Sequence, residues 1–446
     1  MKQGLTRRGL LKAGLGFAGA AALGACAPAA TPQVVKETEE APVVAPEEEI
    51  VIRYMSWPGM AYEDSERAEL LDPFEQENPG VKVKLELIPY GEFWTKMAAL
   101  AAADDLPDFF SMCVLQYGSW TPKGVLLDLE PFIEAELDAS KYYTELWEML
   151  RRAGAVPSLY ALPFRGVIEV MAFNKDAFAA AGVPEPDNKD WAWEDLLDTA
   201  TQLTVTDDSG KISQYGYVST HSHQVLDAAI VSNGGAVLDE SLKRCLLDSP
   251  VAIETIQFFV DMIHKHKVAP NPADVEGMGD LFLTGRVALQ PILSYQVQPY
   301  MEIEDFQYDI WWMPRGTVKQ AAYGGPDSMS ISKSTRYKDE CLRLMKFALS
   351  EKRGVMSFGA GSIPSLKSKA ESAEWMQSGG VQNKSVILEQ IPYMTADFGP
   401  GWSEWRSNVM NNELALAWLG EKPVPEVVKA AASAIQAVLD DVWKGR

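Results

Sequence analysis

The stretch that decides the fold class runs from Ile50 to Met112 and begins IVIRYMSWPG. Within it, β-rich or alternating runs typical of strands take turns with runs of helical spacing. The predicted order is strand, helix, strand, helix, strand, at 50–54, 63–78, 81–87, 93–103 and 107–112. Such an order forms right-handed crossovers and a largely parallel sheet. We therefore expect an α/β fold, with ligands gathering beyond the carboxyl ends of its strands.

A second α/β set follows, in which strand and helix patterns alternate again from Tyr215 to Ile292. Two β-rich stretches, Tyr160–Arg165 and Tyr308–Pro314, are placed like strands that cross from one set to the other. These crossings predict two lobes. The expected division of the chain is an N-terminal lobe of residues 50–163 with 315–360, and a C-terminal lobe of 164–314, with 361–446 packing across both.

Two local predictions concern the second half of the chain. Residues 279–284 predict a short helix. The run Gly324-Gly325-Pro326 predicts a turn, followed by a strand at 328–332.

The N-terminal segment predicts export. A basic start containing Arg7 and Arg8 precedes an uncharged run from Ala13, which ends in Leu-Gly-Ala-Cys at Cys26. This order is typical of a secretory signal, and the arginine pair resembles the twin-arginine type. The last four residues resemble the lipobox of bacterial lipoproteins, so residues 1–25 should be removed and Cys26 lipidated. A membrane-spanning anchor is the alternative, but the apolar run is shorter than the roughly 20 residues that a spanning helix needs.

Residues 26–49, which begin at that cysteine, predict a disordered tether because they are rich in proline and glutamate and carry no aromatic residue. No later segment offers a long apolar run, so we expect membrane contact through the N-terminus alone. The net charge of −22 disfavours nucleic acid and anionic membrane as partners.

Three cysteines would remain after lipidation of Cys26: Cys113, Cys245 and Cys341. Their wide separation excludes a Cys-x-x-Cys motif, and at least one must stay unpaired. One long-range disulfide is possible in an oxidising compartment, but three small buried thiols are the simpler expectation.

Taken together, several segments resemble the bacterial extracellular solute-binding proteins of family 1. The residues Phe282–Leu289 (FLTGRVAL) are similar to a signature of that family, although the usual small-small-methionine end is replaced by Val-Ala-Leu. Further similar segments occur in the same order as in the family, at 108–110, 162–164, 171–176, 191–196 and 323–332. The resemblance covers roughly residues 50–349, and the tail beyond Ser350 matches only loosely.

The resemblance implies a fold and a function. Members similar to maltose-binding protein have two α/β lobes joined by crossover strands, the type II (cluster D-like) periplasmic-binding-protein fold. They are lipid-anchored receptors outside the cytoplasmic membrane that pass a sugar to the permease of an ABC importer. Ligand binding shifts an open–closed equilibrium, so contacts must come from both lobes. We therefore expect a monomeric sugar receptor, not an enzyme.

Candidate ligand residues follow from this picture, because sugar sites stack aromatic rings on C–H faces and place polar groups around the rim. The candidates lie at strand ends, at the expected crossings and in the aromatic C-terminal loops: Trp57, Gln116, Tyr117, Phe164, Arg165, Asn233, Trp312, Gly325, Asp327, Tyr393, Trp402 and Glu404.

Each candidate also has a simpler interpretation. Trp57 would serve equally well in the core, and Arg165 in a surface ion pair. Glu404 would equally serve as a carboxylate at a helix start, and Asp327 as an ordinary turn residue. Trp311 and Trp312 would point to opposite faces of a strand, so at most one of them should face the cleft.

Other functions have less support in the sequence. A glycoside hydrolase would also have aromatics and acids, but no motif here marks an acid/base pair. A receptor for a non-sugar solute, such as a glycerol phosphodiester, a polyamine or a peptide, stays open as an alternative. No cofactor is expected. The histidine pairs His221/His223 and His264/His266 lack further ligands at metal-binding spacing, so no metal is expected either.

Overall fold

A computed structural model describes residues 49–59, 63–218, 223–355, 358–396 and 398–444. Within these residues, eleven strands form one continuous mixed sheet that helices cover. The predicted signal and all but the last residue of the predicted tether, with Arg7, Arg8 and Cys26, lie outside the described residues, as does His221. In the same ranges, no helix combines the length and the apolar character needed to cross a membrane.

The strands differ in length, and the two longest are neighbours at the centre of the sheet. They are β1 (Ile50–Ser56), β2 (Val81–Leu87), β3 (Phe109–Cys113), β4 (Leu162–Asn174), β5 (Val205–Thr206), β6 (Ile212–Tyr217), β7 (Val287–Leu293), β8 (Tyr308–Trp311), β9 (Ala322–Ile331), β10 (Ile363–Pro364) and β11 (Met394–Thr395).

The helices before β9 are α1 (Glu63–Glu66), which continues through a π-helical turn at Arg67–Leu71 into α2 (Asp72–Glu77), then α3 (Tyr90–Ala102), α4 (Val114–Trp120), α5 (Glu130–Glu136), α6 (Glu145–Gly154), α7 (Lys175–Ala181), α8 (Trp193–Leu203), α9 (His223–Ser232), α10 (Pro250–His264) and α11 (Val297–Tyr300). Those after it are α12 (Lys338–Ala348), α13 (Lys367–Ala370), α14 (Ala373–Met376), α15 (Ser385–Glu389), a π-helix at Ser403–Met410, α16 (Asn411–Trp418) and α17 (Val424–Trp443).

The order of strands across the sheet is β2-β1-β3-β9-β4-β7-β6-β5, with β8 and β10 paired to β4 and β11 paired to β9. The first three strands run parallel, as their alternation with helices predicts. The strand β9 pairs antiparallel with both β3 and β4, and β4 also pairs antiparallel with β7. The strands β6 and β7 pair in parallel. The predicted α/β fold is therefore confirmed, with an antiparallel centre that the repeating pattern did not indicate.

The strand β4 joins two groups of parallel strands, β1–β3 on one side and β6–β7 on the other. Its first half pairs with β9, up to Ile168 opposite Gly324, and its second half pairs with β7 and β8. The stretch predicted to cross, Tyr160–Arg165, thus leads into the strand that pairs with both groups. Within the second predicted stretch, Tyr308–Pro314, β8 ends at Trp311 and pairs with the far end of β4, and the chain then continues to β9. The second long strand at the centre of the sheet is β9, which pairs with both β3 and β4.

The predicted turn at Gly324-Gly325-Pro326 is also wrong, since these residues lie inside β9. Here glycine provides space rather than a turn. A Cβ on Gly324 would lie 2.6 Å from the Met394 side chain, and one on Gly325 would lie 2.9 Å from the ring of Phe398. Two segments of the C-terminal tail therefore approach β9 where it has no side chains.

The helix predicted at 279–284 is absent, and a turn takes its place. The carboxylate of Asp280 accepts hydrogen bonds from the backbone N–H groups of Phe282 and Leu283. Such local side-chain bonds compete with helix formation. The flanking Gly279 and Gly285 both have positive φ angles, which end a helix on either side.

The cysteines agree with the simpler expectation. Cys113, Cys245 and Cys341 are all buried thiols. Burial, together with the neighbouring Asp327 carboxylate, raises the pKa of the Cys113 thiol to about 12, so this thiol is protonated at neutral pH.

A buried ion pair connects α1 to the segment after α12. The guanidinium of Arg353 lies 2.8 Å from the carboxylate of Glu66, and both side chains are almost fully buried. The hydroxyl of Tyr54 donates a second hydrogen bond to Glu66. Because both charges have lost their water, removing one partner leaves the other uncompensated.

We expect Glu66→Gln to lower the free energy of unfolding by about 3–5 kcal/mol, the range for breaking a buried pair from one side. Urea denaturation measures this loss. The control is Glu136→Gln, whose partner Lys346 is half exposed; that variant should stay within about 1 kcal/mol of the wild type. Equal effects of the two substitutions would contradict the assignment.

Candidate functional site

A cavity of about 710 Å³ lies at the centre of the sheet, within the size range of small-molecule sites. Its walls come from both groups of strands. The loop after β1, the start of α4 and the middle of β9 form one side, and the segment after β7 forms the other, with β4 between them. The parallel strands thus meet the cavity at their carboxyl ends, as expected.

The walls of the cavity are mainly aromatic. Five rings from separate segments line it: Trp57, Tyr90, Tyr295, Tyr323 and Phe398. Trp57 is almost fully buried, with ring centroids 4.9 Å from Phe93 and 5.3 Å from Tyr90, so the helix α3 holds its ring in place. Tyr90 and Tyr295 are each 42% exposed, which places them where the cavity meets solvent.

An ion pair forms the polar part of the cavity. Arg165 of β4 and Asp327 of β9 lie opposite each other in the antiparallel pair, next to an irregularity between Pro163 and Arg165. Such bulges redirect side chains near functional sites. The guanidinium Nε of Arg165 donates to Asp327 Oδ2 at 3.0 Å. Asp327 keeps 19% of its side chain exposed, whereas Arg165 keeps only 4%.

Arg165 also holds two loops. Its Nη2 donates to the carbonyl of Gly59 at 2.7 Å, and its Nη1 donates to the carbonyl of Phe358 at 3.1 Å. Gly59 follows Trp57 in the loop after β1, and Phe358 belongs to the segment after α12. One side chain therefore fixes both the aromatic wall at Trp57 and the carboxylate at Asp327.

Four of the predicted site residues come together at this cavity: Trp57, Arg165, Gly325 and Asp327. Phe164, next to Arg165 in β4, does not join them. Its ring packs against Phe358, at a centroid distance of 6.3 Å, and under the guanidinium of Arg353, at 4.7 Å.

Gln116 and Tyr117 lie inside α4, beside the cavity rather than in its wall. The side chain of Gln116 donates to Ser403 Oγ, and the buried hydroxyl of Tyr117 accepts from the backbone of Tyr160. The expected strand end is thus followed at once by a helix, in which Val114 and Leu115 face the cavity.

The remaining predicted residues lie elsewhere. The side chain of Asn233 accepts from the backbone of Thr317 in a separate depression that Trp193 also lines. Trp312 is buried and in edge contact with Tyr393, which is 43% exposed.

In the C-terminal segment, Trp402 is buried behind Phe398, with ring centroids 6.4 Å apart, so Phe398 forms the wall there. Glu404 is exposed in the first turn of the π-helix, where a carboxylate favours the helix dipole.

Several lining residues escaped the sequence analysis. Tyr90 follows the end of β2 and Tyr295 follows the end of β7, so the strand-end rule that selected Trp57 could have found both. Gln298 and Glu302 follow Tyr295 in the same wall. Phe398 comes from the C-terminal tail, and no local pattern marks it.

The described residues contain no group of three or more histidine, cysteine, aspartate or glutamate side chains that could hold a metal ion. What the cavity offers is a set of aromatic faces, a fixed carboxylate and an amide. These groups suit a ligand with both C–H faces and hydroxyl donors.

A buried carboxyl group lies next to the cavity along β4. Glu169 is two residues beyond the lining residue Val167, on the same face of the strand, and is 1% exposed. Its pKa is raised to about 8, mainly by burial and in part by the nearby Asp227 carboxylate, against the lowering effect of a hydrogen bond from the backbone of Tyr323. Glu169 is therefore largely protonated at pH 7.

This pKa predicts a pH dependence of stability. The folded protein holds the Glu169 proton more tightly than the unfolded chain, so its contribution is complete below about pH 4.5 and is lost as pH rises through 8. Glu169→Gln should remove this loss and gain about 1–4 kcal/mol over the wild type between pH 5 and pH 9. Urea denaturation across that range measures the difference. Glu404→Gln, an exposed control, should follow the wild-type curve, and a parallel curve for Glu169→Gln would contradict the assignment.

Comparison with known proteins identifies a family and a fold that this chain resembles. The family model described as "Bacterial extracellular solute-binding protein" matches residues 56–354, well over half of the chain. Among curated proteins, the diacetylchitobiose binding protein DasA of Streptomyces coelicolor is 22% identical over 379 residues, covering 81% of this chain and 83% of DasA.

Two solved structures illustrate the fold. The ABC substrate-binding protein Lmo0181 of Listeria monocytogenes, in complex with cycloalternan, has a TM-score of 0.75 at 22% identity, covering 88% of this chain and 99% of that one. UgpB of Mycobacterium tuberculosis, in complex with glycerophosphocholine, has a TM-score of 0.72 at 19% identity, covering 87% and 98%. At these identities the likeness concerns the fold, the two-lobed type II periplasmic-binding-protein architecture.

Proposed function

This chain belongs to the bacterial extracellular solute-binding proteins, and we propose that it binds a sugar or oligosaccharide in the cavity and delivers it to the permease of an ABC importer. The observation that carries the proposal is the cavity itself, where aromatic rings from five segments surround a fixed carboxylate. Aromatic faces pack on the C–H faces of a sugar ring, and the carboxylate accepts its hydroxyl groups. The protein binds its ligand without changing it.

The two sides of the cavity give the proposal a mechanism. Trp57 and Tyr90 lie in the β1–β3 group, whereas Tyr295 and Gln298 follow β7 in the other group. We assign the first side to an N-terminal lobe of residues 50–163 with 315–360, and the second to a C-terminal lobe of residues 164–314. A ligand that touches both sides favours the closed arrangement, because it gains contacts there that the open one lacks.

The location of the receptor follows from its N-terminal segment. Arg7 and Arg8 direct export, and a lipid on Cys26 keeps the protein at the outer face of the cytoplasmic membrane, as a monomer on a tether. The cavity then faces the medium from which the solute comes.

We expect Cys26→Ser to release the protein from the membrane. Serine cannot form the thioether to the lipid, and the lipid is the one membrane contact that we expect of the mature protein. Fractionation of cells into membrane and soluble parts measures the change, with a cysteine-retaining substitution in the tether, Glu48→Gln, as the control. A Cys26→Ser protein that stays with the membrane to the wild-type extent would contradict lipid anchoring.

The ligand site is tested by a matched pair of tyrosines. Tyr295 and Tyr393 are exposed to nearly the same degree, 42% and 43%, but only Tyr295 lines the cavity. Tyr295→Ala should weaken binding by about tenfold or more, because it removes the apolar area of the ring as well as an aromatic contact worth about 0.5–1.5 kcal/mol beyond that area. Tyr393→Ala should change it less than about threefold.

The measurement is isothermal titration with the saccharide that gives the largest thermal shift in a panel of neutral mono- to tetrasaccharides. Loss of binding in Tyr393→Ala together with unchanged binding in Tyr295→Ala would move the site away from this cavity. No thermal shift with any saccharide of the panel would contradict the sugar assignment.

A further inference from the structure

The charges that line the cavity bear on which ligands it accepts. Among the described lining residues, Arg165 is the one cationic side chain, and Asp327 and Glu302 are the two acidic ones. Glu302 is exposed at the opening of the cavity. Whether the arginine can serve an anionic ligand therefore decides how the cavity treats phosphate or carboxylate groups.

The guanidinium of Arg165 is committed to the protein. At least three of its five N–H groups are donated, to Asp327, to the carbonyl of Gly59 and to the carbonyl of Phe358. Its side chain is 4% exposed, so a ligand meets little of its surface. Its charge is also balanced by the Asp327 carboxylate at 3.0 Å. An anion entering the cavity would lose its water without gaining a charge partner.

Asp327 is in the opposite situation. Its carboxylate has about four lone-pair sites, and Arg165 occupies one through Oδ2. With 19% of its side chain exposed in the cavity wall, Asp327 can accept further hydrogen bonds. The cavity therefore presents an acceptor, which suits hydroxyl donors and repels phosphate and carboxylate groups.

We propose that the site selects uncharged saccharides and rejects anionic ones, and that Arg165 acts as a positioning residue that holds Asp327 as the hydroxyl acceptor. This inference rests on the proposed sugar-binding function and deepens it. It also separates the protein from receptors for phosphodiesters, which share its fold. The ion pair is the device: as long as Asp327 balances Arg165, the arginine is closed to anions.

The test compares neutral saccharides with matched anionic derivatives: glucose with glucuronate and glucose 6-phosphate, and N-acetylglucosamine with its 6-phosphate. Thermal shift finds the pairs that bind, and isothermal titration gives both affinities. In the wild type we expect the neutral member of a pair to bind at least tenfold tighter. An anionic member that binds as tightly as its neutral partner overturns the inference while leaving the receptor function intact.

The variant Asp327→Asn frees the charge of Arg165 while keeping the shape of the side chain. It should weaken neutral binding and shift the neutral-to-anionic affinity ratio at least tenfold toward the anion. Glu302→Gln removes one negative charge at the opening without freeing Arg165, so its ratio should shift less than about threefold. A merely structural role of Asp327 would lower both affinities together and leave the ratio unchanged, which overturns the inference.

Two further outcomes are informative. If Asp327→Asn does not fold, Asp327→Ser and the wild-type ratio still decide, because the tenfold preference for neutral ligands is expected without any substitution. If no saccharide of either charge binds the wild type, the proposed function falls and the charge selectivity falls with it.

Discussion

The structure depends most on one side chain, the guanidinium of Arg165. It emerges beside an irregularity in β4, faces Asp327 across the antiparallel pair with β9, and bonds the loops at Gly59 and Phe358. Three segments that are distant in sequence thus share one planar, permanently charged group. Because its N–H groups point in fixed directions, Arg165 sets the position of the aromatic wall and of the carboxylate together.

Further buried charges surround this centre. Arg353 pairs with Glu66 and lies over the rings of Phe164 and Phe358, while Arg406 pairs with Asp227 at 3.0 Å near Glu169. Buried pairs contribute little net stability, since desolvation cancels most of the attraction, but breaking one is costly. Their value here is geometric. Phe358 links two of these ion pairs, because its carbonyl accepts from Arg165 while its ring contacts Arg353.

How much could be predicted from the sequence follows from how local each signal is. The parallel strands β1 to β3 carry their own alternation and were predicted together with Trp57, which lies at a strand end. The antiparallel pairing of β9 could not be seen, because Gly324 and Gly325 leave room for Met394 and Phe398 from a distant tail, yet look like a turn. For the same reason Phe398 was missed and Trp402 was selected, although Trp402 lies one layer further from the cavity. The correct predictions rest on patterns within one segment, whereas the wrong ones concern places where a segment distant in sequence packs against the strand.

We propose that the cavity organised by Arg165 holds an uncharged sugar between the two groups of strands. A crystal structure of the protein with the tightest-binding neutral saccharide tests it most directly. We predict ligand density between Trp57 and Tyr295, a hydroxyl group within hydrogen-bond distance of Asp327, and Arg165 still bound to Gly59 and Phe358. Density at another surface, or a ligand held by a direct salt bridge to an Arg165 that has left Asp327, would contradict it.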